Sequence, residues 1–376
     1  MIEKPLRILQ VSGCLSRGGA ETMIMNLYRE IDVSKVQFDF LVYEESDGSF
    51  DDEIIKRGGR ILNLDRSNKL GVIEYYWRLK KIVKENGPYK AIHIHTQFHS
   101  GIVLVCAKLI GIPIRICHAH STADSCHIDR IRNLYQSIMR QLIILNATHL
   151  LACGKDAGYF LYGDYFNIKG EVIRNAIDYD KFVKVEEELV DKCRRQIGIG
   201  DPEVIIGSVA SFREAKNHIF MLDIVAEMQK RGMQFKMVFA GGGLLFDDIK
   251  LEAEKRHLGE KVLFLGVRDD VPLLMKVFDV ILMPSLYEGL PVTLVESQAS
   301  NVCAVISENI TDEVDFDLGL IKKVSLDADI DIWISELVNG AELKNSVSKH
   351  DILNQLSKNG YLVQDSLNLL YEFYEI

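Results

Sequence analysis

Two glutamates, Glu288 and Glu296, are separated by seven residues and flank a segment that could bind an anion. The apolar run 280–283 predicts a buried strand. Pro291 predicts the start of a helix over 292–299, because proline is favoured at the first helical position. The free N–H groups and the dipole of a helix start attract phosphate. The two carboxylates can accept hydrogen bonds from hydroxyl groups. The segment therefore predicts a ligand that carries phosphates and hydroxyls, such as a nucleotide sugar.

A glycine-containing loop lies near the start of the chain. The run 6–12 predicts a strand, Gly18 and Gly19 follow it, and 22–31 has helical spacing. Strand, glycine loop and helix together are typical of the opening of a Rossmann-like βαβ unit. Glycines without a Cβ let a ligand approach the backbone. A tight turn with packing glycines is the alternative interpretation.

Two pairs of histidines, His93 with His95 and His118 with His120, lie in two predicted strands. Side chains alternate along a strand, so each pair should lie on one face. A metal site is one interpretation, since histidine is a common ligand. The sequence lacks a carboxylate at a usual metal-ligand spacing, and we favour polar lining at the ends of parallel strands.

The segment 128–145 predicts a helix with three arginines, Arg130, Arg132 and Arg140, against one acid, Asp129. Its apolar stripe consists of Ile131, Leu134, Tyr135, Ile138, Met139, Leu142 and Leu145. Core packing with a solvated opposite face explains such a stripe. A basic helix that lies on anionic lipid explains it as well.

Length and composition favour a folded, globular protein of two domains. The chain has 376 residues, 48% of them hydrophobic and 26% charged, which is typical of globular proteins with about two domains of this size. No apolar run approaches the roughly 18 residues of a transmembrane helix, and the start predicts no secretory signal. Seven cysteines without a C-x-x-C pair suggest reduced thiols in the cytoplasm.

The net charge of −10 is unevenly distributed. Residues 1–178 carry 23 basic and 20 acidic side chains, and residues 179–376 carry 21 and 34, so the halves have charges of +3 and −13. An acidic protein is a poor candidate for nonspecific nucleic-acid binding, and we expect no nucleic-acid partner. The less acidic first half would suit an anionic membrane or acceptor, although a solvated surface explains it equally well.

Several motifs resemble one enzyme family. The pattern P-S-x-x-E-G-x-P-x-x-x-x-E at 284–296 resembles the signature of the family 4 retaining glycosyltransferases, which have the GT-B fold. G-G-A-E at 18–21 resembles their opening loop, and V-I-x-N-x-I-D at 172–178 resembles the segment that closes their first domain. The resemblance covers nearly the whole chain. The N-terminal stretch is most similar to enzymes of bacterial exopolysaccharide or capsule synthesis.

The resemblance implies an α/β fold of two Rossmann-like domains whose parallel sheets face a central cleft. Residues 1–178 would bind the acceptor, and residues 179–358 would bind the nucleotide sugar. Residues 359–376 would form a terminal helix that packs back on the first domain.

The implied reaction moves a hexose or N-acetylhexosamine from a nucleoside diphosphate sugar to a glycan or undecaprenyl-linked acceptor with retention. UDP is the expected nucleotide because it is the commonest in the family. Front-face displacement needs neither an enzyme nucleophile nor a metal cofactor. We expect a cytoplasmic protein that contacts the inner face of the cell membrane through 128–145.

The resemblance also implies roles for matching residues. The catalytic residues would be His120, Lys216 and Glu288: Lys216 would clamp the diphosphate, Glu288 would bind the hexose, and His120 would contact the hexose and the acceptor. Glu296 would bind ribose. The implied donor-binding set is Gly18, Gly19, Arg213, Lys216, Gly242, Val267, Glu288, Gly289, Leu290, Pro291 and Glu296, and no residue is expected to bind a metal.

One position departs from the family pattern. Family members usually carry an arginine where Ser211 stands, and a serine supplies neither its charge nor its fork of donors. Arg213 is a candidate substitute. The alternative function is therefore a homologue that binds a nucleotide sugar with weak or no transferase activity. An epimerase or a phosphorylase of the same fold is a further alternative, but no segment matches the pyridoxal lysine of phosphorylases.

Overall fold

Strand-forming apolar runs alternate with helix-forming stretches along the chain, and the strands pair into two parallel sheets. The computed structural model describes residues 5–15, 18–43, 50–121, 130–200 and 203–376. The chain divides into a first unit, Met1–Ala176 with Gly360–Ile376, and a second unit, Ile177–Asn359.

The first unit contains a seven-stranded sheet in the order β3-β2-β1-β4-β5-β6-β7, and every neighbouring pair is parallel. The strands are β1 (Leu6–Ser12), β2 (Val36–Val42), β3 (Ile61–Asn63), β4 (Tyr89–Ile94), β5 (Ile114–Ala119), β6 (His149–Ala152) and β7 (Gly170–Val172). Every residue of β2 is buried, as expected for a parallel strand that is covered on both faces.

Helices connect these strands, and one further helix comes from the end of the chain. They are α1 (Gly19–Glu30), α2 (Asp51–Lys56), α3 (Ser67–Leu70), α4 (Val72–Asn86), α5 (Ser100–Ile110), α6 (Arg130–Asn146), α7 (Lys155–Tyr162), α8 (Phe166–Lys169) and α17 (Val363–Tyr374). Helix α17 packs against α1, and its Leu367, Leu370 and Tyr374 share a hydrophobic cluster with Phe38 and Phe40 of β2. The last helix therefore completes the core of the first unit.

The second unit contains a six-stranded parallel sheet in the order β10-β9-β8-β11-β12-β13. Its strands are β8 (Val204–Val209), β9 (Phe235–Ala240), β10 (Val262–Phe264), β11 (Val280–Met283), β12 (Cys303–Ser307) and β13 (Ile321–Val324). Its helices are α9 (Tyr179–Val183), α10 (Glu187–Gln196), α11 (His218–Lys230), α12 (Phe246–Lys255), α13 (Val271–Val277), α14 (Val292–Ala299), α15 (Ile330–Glu342) and α16 (Lys349–Lys358).

Each sheet changes its winding direction once, between β1 and β4 in the first unit and between β8 and β11 in the second. In open α/β sheets, ligands bind outside the carboxyl ends of the strands at such a switch point. The loops after these four strands are therefore the places where each unit should carry its functional side chains.

Two details differ from the sequence prediction. The segment 172–177 predicts a strand, but β7 ends at Val172: the Ile173 N–H still donates to the Ala152 carbonyl of β6 at 2.9 Å, and residues 173–176 lie outside the strand. Pro291 was expected as the first helical residue, yet it is the N-cap, and α14 begins at Val292. Residues 16–17 of the glycine loop and 128–129 of the predicted basic helix lie outside the described residues.

Candidate functional site

Lys216 and Glu288 lie on the loops that follow β8 and β11, two paired strands of the second sheet, and form an ion pair. Their side chains are only 18% and 10% exposed, so the pair is largely removed from water. The Ser285 hydroxyl donates to the same Oε1 atom of Glu288 at 2.7 Å. The Glu288 carboxylate is thus held through one oxygen, and its Oε2 atom is left for another partner.

Backbone and amide contacts join these two loops. Asn217 adopts the left-handed conformation at φ 55°, which ends the short turn Glu214–Lys216 and begins α11. Its side-chain amide donates to the Pro284 carbonyl at 3.1 Å, and the Leu286 N–H donates to the Ala215 carbonyl at 2.8 Å. Asparagine tolerates this backbone conformation, so the sequence can place the lysine beside the second loop.

Glu296 is partly buried in the second turn of α14. The Thr293 hydroxyl donates to the Val209 carbonyl at 3.1 Å, which fixes the start of the helix to the end of β8. Burial raises the pKa of Glu296 to about 7. Among the described residues, nothing hydrogen-bonds its carboxyl group, so both oxygens are available to a ligand.

The start of α14 matches the predicted anion site in one respect. Pro291 provides no side-chain hydrogen bond to the first turn, so no side chain caps these N–H groups. Gly289 and Leu290 connect Glu288 to this turn and are partly buried. The segment thus places backbone donors between the two glutamates.

The loops after β9 and β10 lie against the loop after β8. A Cβ on Gly241 would stand 1.9 Å from the Ala210 carbonyl oxygen, and one on Gly242 would stand 2.9 Å from Val267 Cγ2. The Phe212 N–H donates to the Gly242 carbonyl at 2.9 Å. Glycines at these positions allow the loops to approach each other closely, and Val267 itself is 64% exposed.

Ser211 is the position that departs from the family pattern, and Arg213 is its candidate substitute. Ser211 is partly buried, and Arg213 is exposed. The Arg213 guanidinium makes no hydrogen bond or ion pair with any residue in the part of the chain that the structure describes. The Lys216 N–H donates to the Arg213 carbonyl at 3.0 Å, but the Arg213 guanidinium forms no hydrogen bond or ion pair with Lys216 or Glu288.

In the first unit, the glycine loop carries an acid that the sequence analysis did not single out. Gly18 caps α1, and a Cβ there would stand 2.4 Å from Glu21 Oε2, whereas a Cβ on Gly19 would meet nothing within 4 Å. The Ser12 hydroxyl donates to Glu21 Oε1 at 2.9 Å, and burial raises the pKa of Glu21. Glu21 is the last residue of the G-G-A-E motif, and the motif was the sequence signal that could have identified it.

Four histidine rings stack at the carboxyl ends of β4 and β5. Ring centroids are 4.3 Å apart for His93 and His95 and 4.2 Å apart for His118 and His120. One ring nitrogen from each of His93, His95 and His118 lies within 4.8 Å of the other two, which would permit a metal to bind. Tyr374 also contacts this cluster, at 2.7 Å from His93 Nδ1, and no sequence motif pointed to it.

The apolar stripe of α6 is divided between core and surface. Ile131 is 79% exposed, Leu134 62% and Leu145 68%, whereas Met139 of the same stripe is buried and Leu142 packs against the core. The helix has no acidic residue. Neither α6 nor any other helix in the described residues is long and apolar enough to span a membrane.

Comparison with known proteins identifies the family. Residues 17–181 match the family described as Glycosyltransferase Family 4, and residues 190–312 match Glycosyl transferases group 1. A "Putative glycosyltransferase EpsF" of Bacillus subtilis (strain 168) is 40% identical over 373 residues, which is 98% of this chain and 96% of that protein.

A more distant relative has a specific name. The Escherichia coli "UDP-Gal:alpha-D-GlcNAc-diphosphoundecaprenol alpha-1,3-galactosyltransferase" is 26% identical over 296 residues, covering 75% of this chain and 72% of that protein. Among solved structures, Anabaena HepE in complex with UDP-glucose is similar in fold, with a TM-score of 0.78 at 16% identity, 98% coverage of this chain and 99% of that chain. The chain belongs to the family 4 glycosyltransferases, and its two parallel-sheet units have the GT-B fold.

Proposed function

We propose that this glycosyltransferase moves a hexose or N-acetylhexosamine from a UDP-sugar, with retention, to a glycan or undecaprenyl-linked acceptor during exopolysaccharide or capsule synthesis. The observation that carries the proposal is the partly buried Lys216–Glu288 pair beside the uncapped start of α14 and the partly buried Glu296. The names of the Escherichia coli and Anabaena proteins, which mention UDP-sugars and a diphosphoundecaprenol acceptor, support this choice.

Lys216 is the proposed clamp for the leaving diphosphate. An ammonium group has three donors, and Glu288 accepts from one of them, so two remain for phosphate oxygens. The backbone N–H groups that follow Glu288, at Gly289 and Leu290, supply further donors. Charge accumulates on the diphosphate as its bond to the anomeric carbon breaks, and preorganised donors stabilise that charge.

The two glutamates would bind hydroxyl groups. Oε1 of Glu288 already accepts from Lys216 and Ser285, so Oε2 is the proposed acceptor for a hexose hydroxyl. Glu296 would accept from the ribose hydroxyls. Val267 would hold the base through its backbone, above the Gly242 turn.

In the first unit, His120 and the Gly18–Gly19 loop are the proposed hexose and acceptor contacts. We assign acceptor binding to residues 1–178, donor binding to 179–358, and support of the first domain to 359–376. The acceptor hydroxyl would attack the anomeric carbon on the face that the diphosphate leaves, and its proton would pass to the leaving phosphate oxygen. Such a step requires neither an enzyme nucleophile nor a metal. The alternative of a binding protein without transferase activity gains no support from the relatives.

The donor site is tested first by a thermal-shift screen with UDP, GDP, ADP and CMP. UDP at 100 times its dissociation constant should add about 2.7 kcal/mol to the free energy of unfolding. Glu296→Ala should lose this stabilisation, whereas Glu342→Ala, at an exposed glutamate of α15, should keep it. Equal stabilisation of both variants, or none of the wild type, would contradict the proposed site.

Binding of UDP should also depend on pH through Glu296. Burial raises its pKa to about 7, so the carboxyl is protonated below that value and ionised above it. Only the ionised form accepts from both ribose hydroxyls, and UDP affinity should rise roughly tenfold between pH 6 and pH 8. Calorimetry on Glu296→Gln is the matched control, because UDP titrates identically there. If the UDP affinity of Glu296→Gln depends on pH as steeply as that of the wild type, the role assigned to Glu296 is wrong.

Ser211→Arg should accelerate transfer. A guanidinium at this position would add a second cation to the diphosphate site, and we expect a roughly tenfold or greater gain in the rate of UDP release. Ser211→Gln adds similar bulk without charge and should give no gain. If both variants behave alike, the missing arginine does not limit the reaction.

Helix α6 should bind anionic membranes. In flotation with phosphatidylglycerol vesicles, Leu134→Glu with Ile138→Glu should reduce binding by roughly tenfold, because two exposed apolar side chains would be replaced by acids. Ile55→Glu changes a similarly exposed side chain on α2 and is the control. Equal binding of the two proteins, with unchanged thermal stability, would rule out α6 as the contact.

A further inference from the structure

Six buried or partly buried side chains of the first unit form an unbroken series of hydrogen bonds, which we call the histidine chain. In order, its members are His120, His95, Gln10, Tyr374, His93 and His118. The chain begins at the carboxyl end of β5, passes through β1, and reaches the last helix, α17. A series of this kind is informative because each neutral imidazole has one N–H and one lone pair.

The first half of the chain determines which nitrogen of His120 carries the proton. The Gln10 Oε1 atom can only accept, so His95 Nε2, at 2.9 Å, must be the donor. His95 Nδ1 then carries the lone pair and accepts from His120 Nε2 at 2.8 Å. It follows that His120 is protonated at Nε2 and that its Nδ1 carries a lone pair.

The second half of the chain has the same direction. The Gln10 amide donates from Nε2 to the Tyr374 oxygen at 3.2 Å, and the Tyr374 hydroxyl then donates to His93 Nδ1 at 2.7 Å. His93 Nε2 must therefore donate to His118 Nδ1, at 3.2 Å, which leaves the N–H of His118 on Nε2. Every link has one donor and one acceptor, so the chain is consistent from end to end.

At the far end, this direction leaves the His118 N–H on Nε2, which is buried and makes no hydrogen bond with any described residue. The direction of the chain is therefore set by the Gln10 amide, whose oxygen lies 2.9 Å from His95 Nε2 and whose nitrogen lies 3.2 Å from the Tyr374 oxygen.

The four imidazoles are neutral near pH 7. Burial is the main cause: it lowers the pKa of His120 to about 4 and holds the pKa values of His93, His95 and His118 well below their usual range. Neutral rings can each have only one N–H. Each ring in the chain therefore donates from one nitrogen and accepts at the other, and the Gln10 amide sets the direction.

A divalent metal is the alternative explanation of this cluster. Both ring nitrogens of His93 and both of His95 already take part in hydrogen bonds, and a metal would have to displace several of them. The candidate ligand group contains histidines alone, so no carboxylate in it would balance a divalent charge. The hydrogen-bond chain accounts for the arrangement without either cost.

At the open end of the chain, two acceptors lack a donor. His120 Nδ1 and Asn175 Oδ1 are both buried without a hydrogen-bond partner among the described residues. Unpaired buried acceptors are costly unless a ligand or water supplies a proton. Hydroxyl groups of a sugar are donors of the required kind.

We propose that Gln10 and Tyr374 are positioning residues: through His95 they hold His120 as the tautomer with a lone pair on Nδ1, so that His120 and Asn175 each accept a hydrogen bond from a sugar hydroxyl. This inference rests on the proposed function for the identity of the ligand. The fixed tautomer itself is a property of the protein without ligand.

The test compares Tyr374→Phe with Tyr371→Phe. Both remove one hydroxyl from α17, but Tyr371 lies outside the histidine chain. In long-range ¹H–¹⁵N spectra of the unliganded full-length protein, wild type and Tyr371→Phe should show His120 protonated at Nε2 only. Tyr374→Phe should show both tautomers, because the Gln10 amide loses the acceptor that fixes its orientation. Gln10→Met breaks the same link and replaces Tyr374→Phe if that variant does not fold.

Kinetics provide the second readout. UDP release from UDP-glucose, UDP-galactose and UDP-N-acetylglucosamine is followed without added acceptor. For the sugar that the wild type uses, Tyr374→Phe should lower kcat by roughly three- to tenfold with KM within about twofold, since a misplaced proton weakens a contact made in the transition state. Tyr371→Phe should match the wild type.

The outcomes separate the two proposals. If no UDP-sugar is turned over, the proposed function fails, while the spectra still decide the tautomer. If transfer occurs but Tyr374→Phe and Tyr371→Phe have the same spectra and kcat, the positioning role is wrong and the proposed function stands. His120 protonated at Nδ1 in the wild type, or a tightly bound metal in the purified protein, would also overturn the inference.

Discussion

The constraint on which this molecule depends is the burial of parallel strands on both faces. All four residues of β11 and all seven of β2 are buried, so neither strand has a solvent-facing side on which to carry polar chemistry. Functional groups are therefore restricted to the carboxyl edges, where the chain leaves each sheet. The Lys216–Glu288 pair and the histidine cluster both lie at such edges, next to the points where the winding of the sheets reverses. The same topology, repeated in two units, thus produces two separate polar edges.

At the carboxyl edge of the second sheet, the positive charge of Lys216 is already balanced by Glu288 in the protein without ligand. A nearly buried lysine would be costly alone, and Glu288 neutralises it in a medium that screens charges weakly. A diphosphate brings more than one negative charge, and the second unit is acidic overall. The uncapped amides at the start of α14 can supply part of the missing positive potential without adding a charged side chain. This offers a physical reason why a chain with Ser211 could still bind a diphosphate.

Much of the architecture could be predicted from periodicity and turn chemistry, including α14 over 292–299 and the alternation of strands and helices. The division of the α6 stripe into buried and exposed residues could not, because an apolar residue that packs inward and one that faces outward can have the same spacing. The end of β7 was misjudged for a related reason. Val172 and Ile173 are both apolar, and the Ile173 N–H also bonds to β6, so no local residue type marks the point where the strand ends.

The histidine chain was beyond the reach of local patterns because its central link joins Gln10 to Tyr374, 364 residues apart. The alternation of side chains predicted that the histidines would share faces, but the direction of their hydrogen bonds depends on an amide in β1 and a hydroxyl in α17. That helix is held in place by Leu367 and Leu370, which pack in the core with Phe38. Apolar packing of the last helix therefore fixes a proton on a ring at the end of β5. The folding of the chain terminus and the chemistry of His120 are, on this view, coupled through ordinary burial and neutral hydrogen bonds, without any charge.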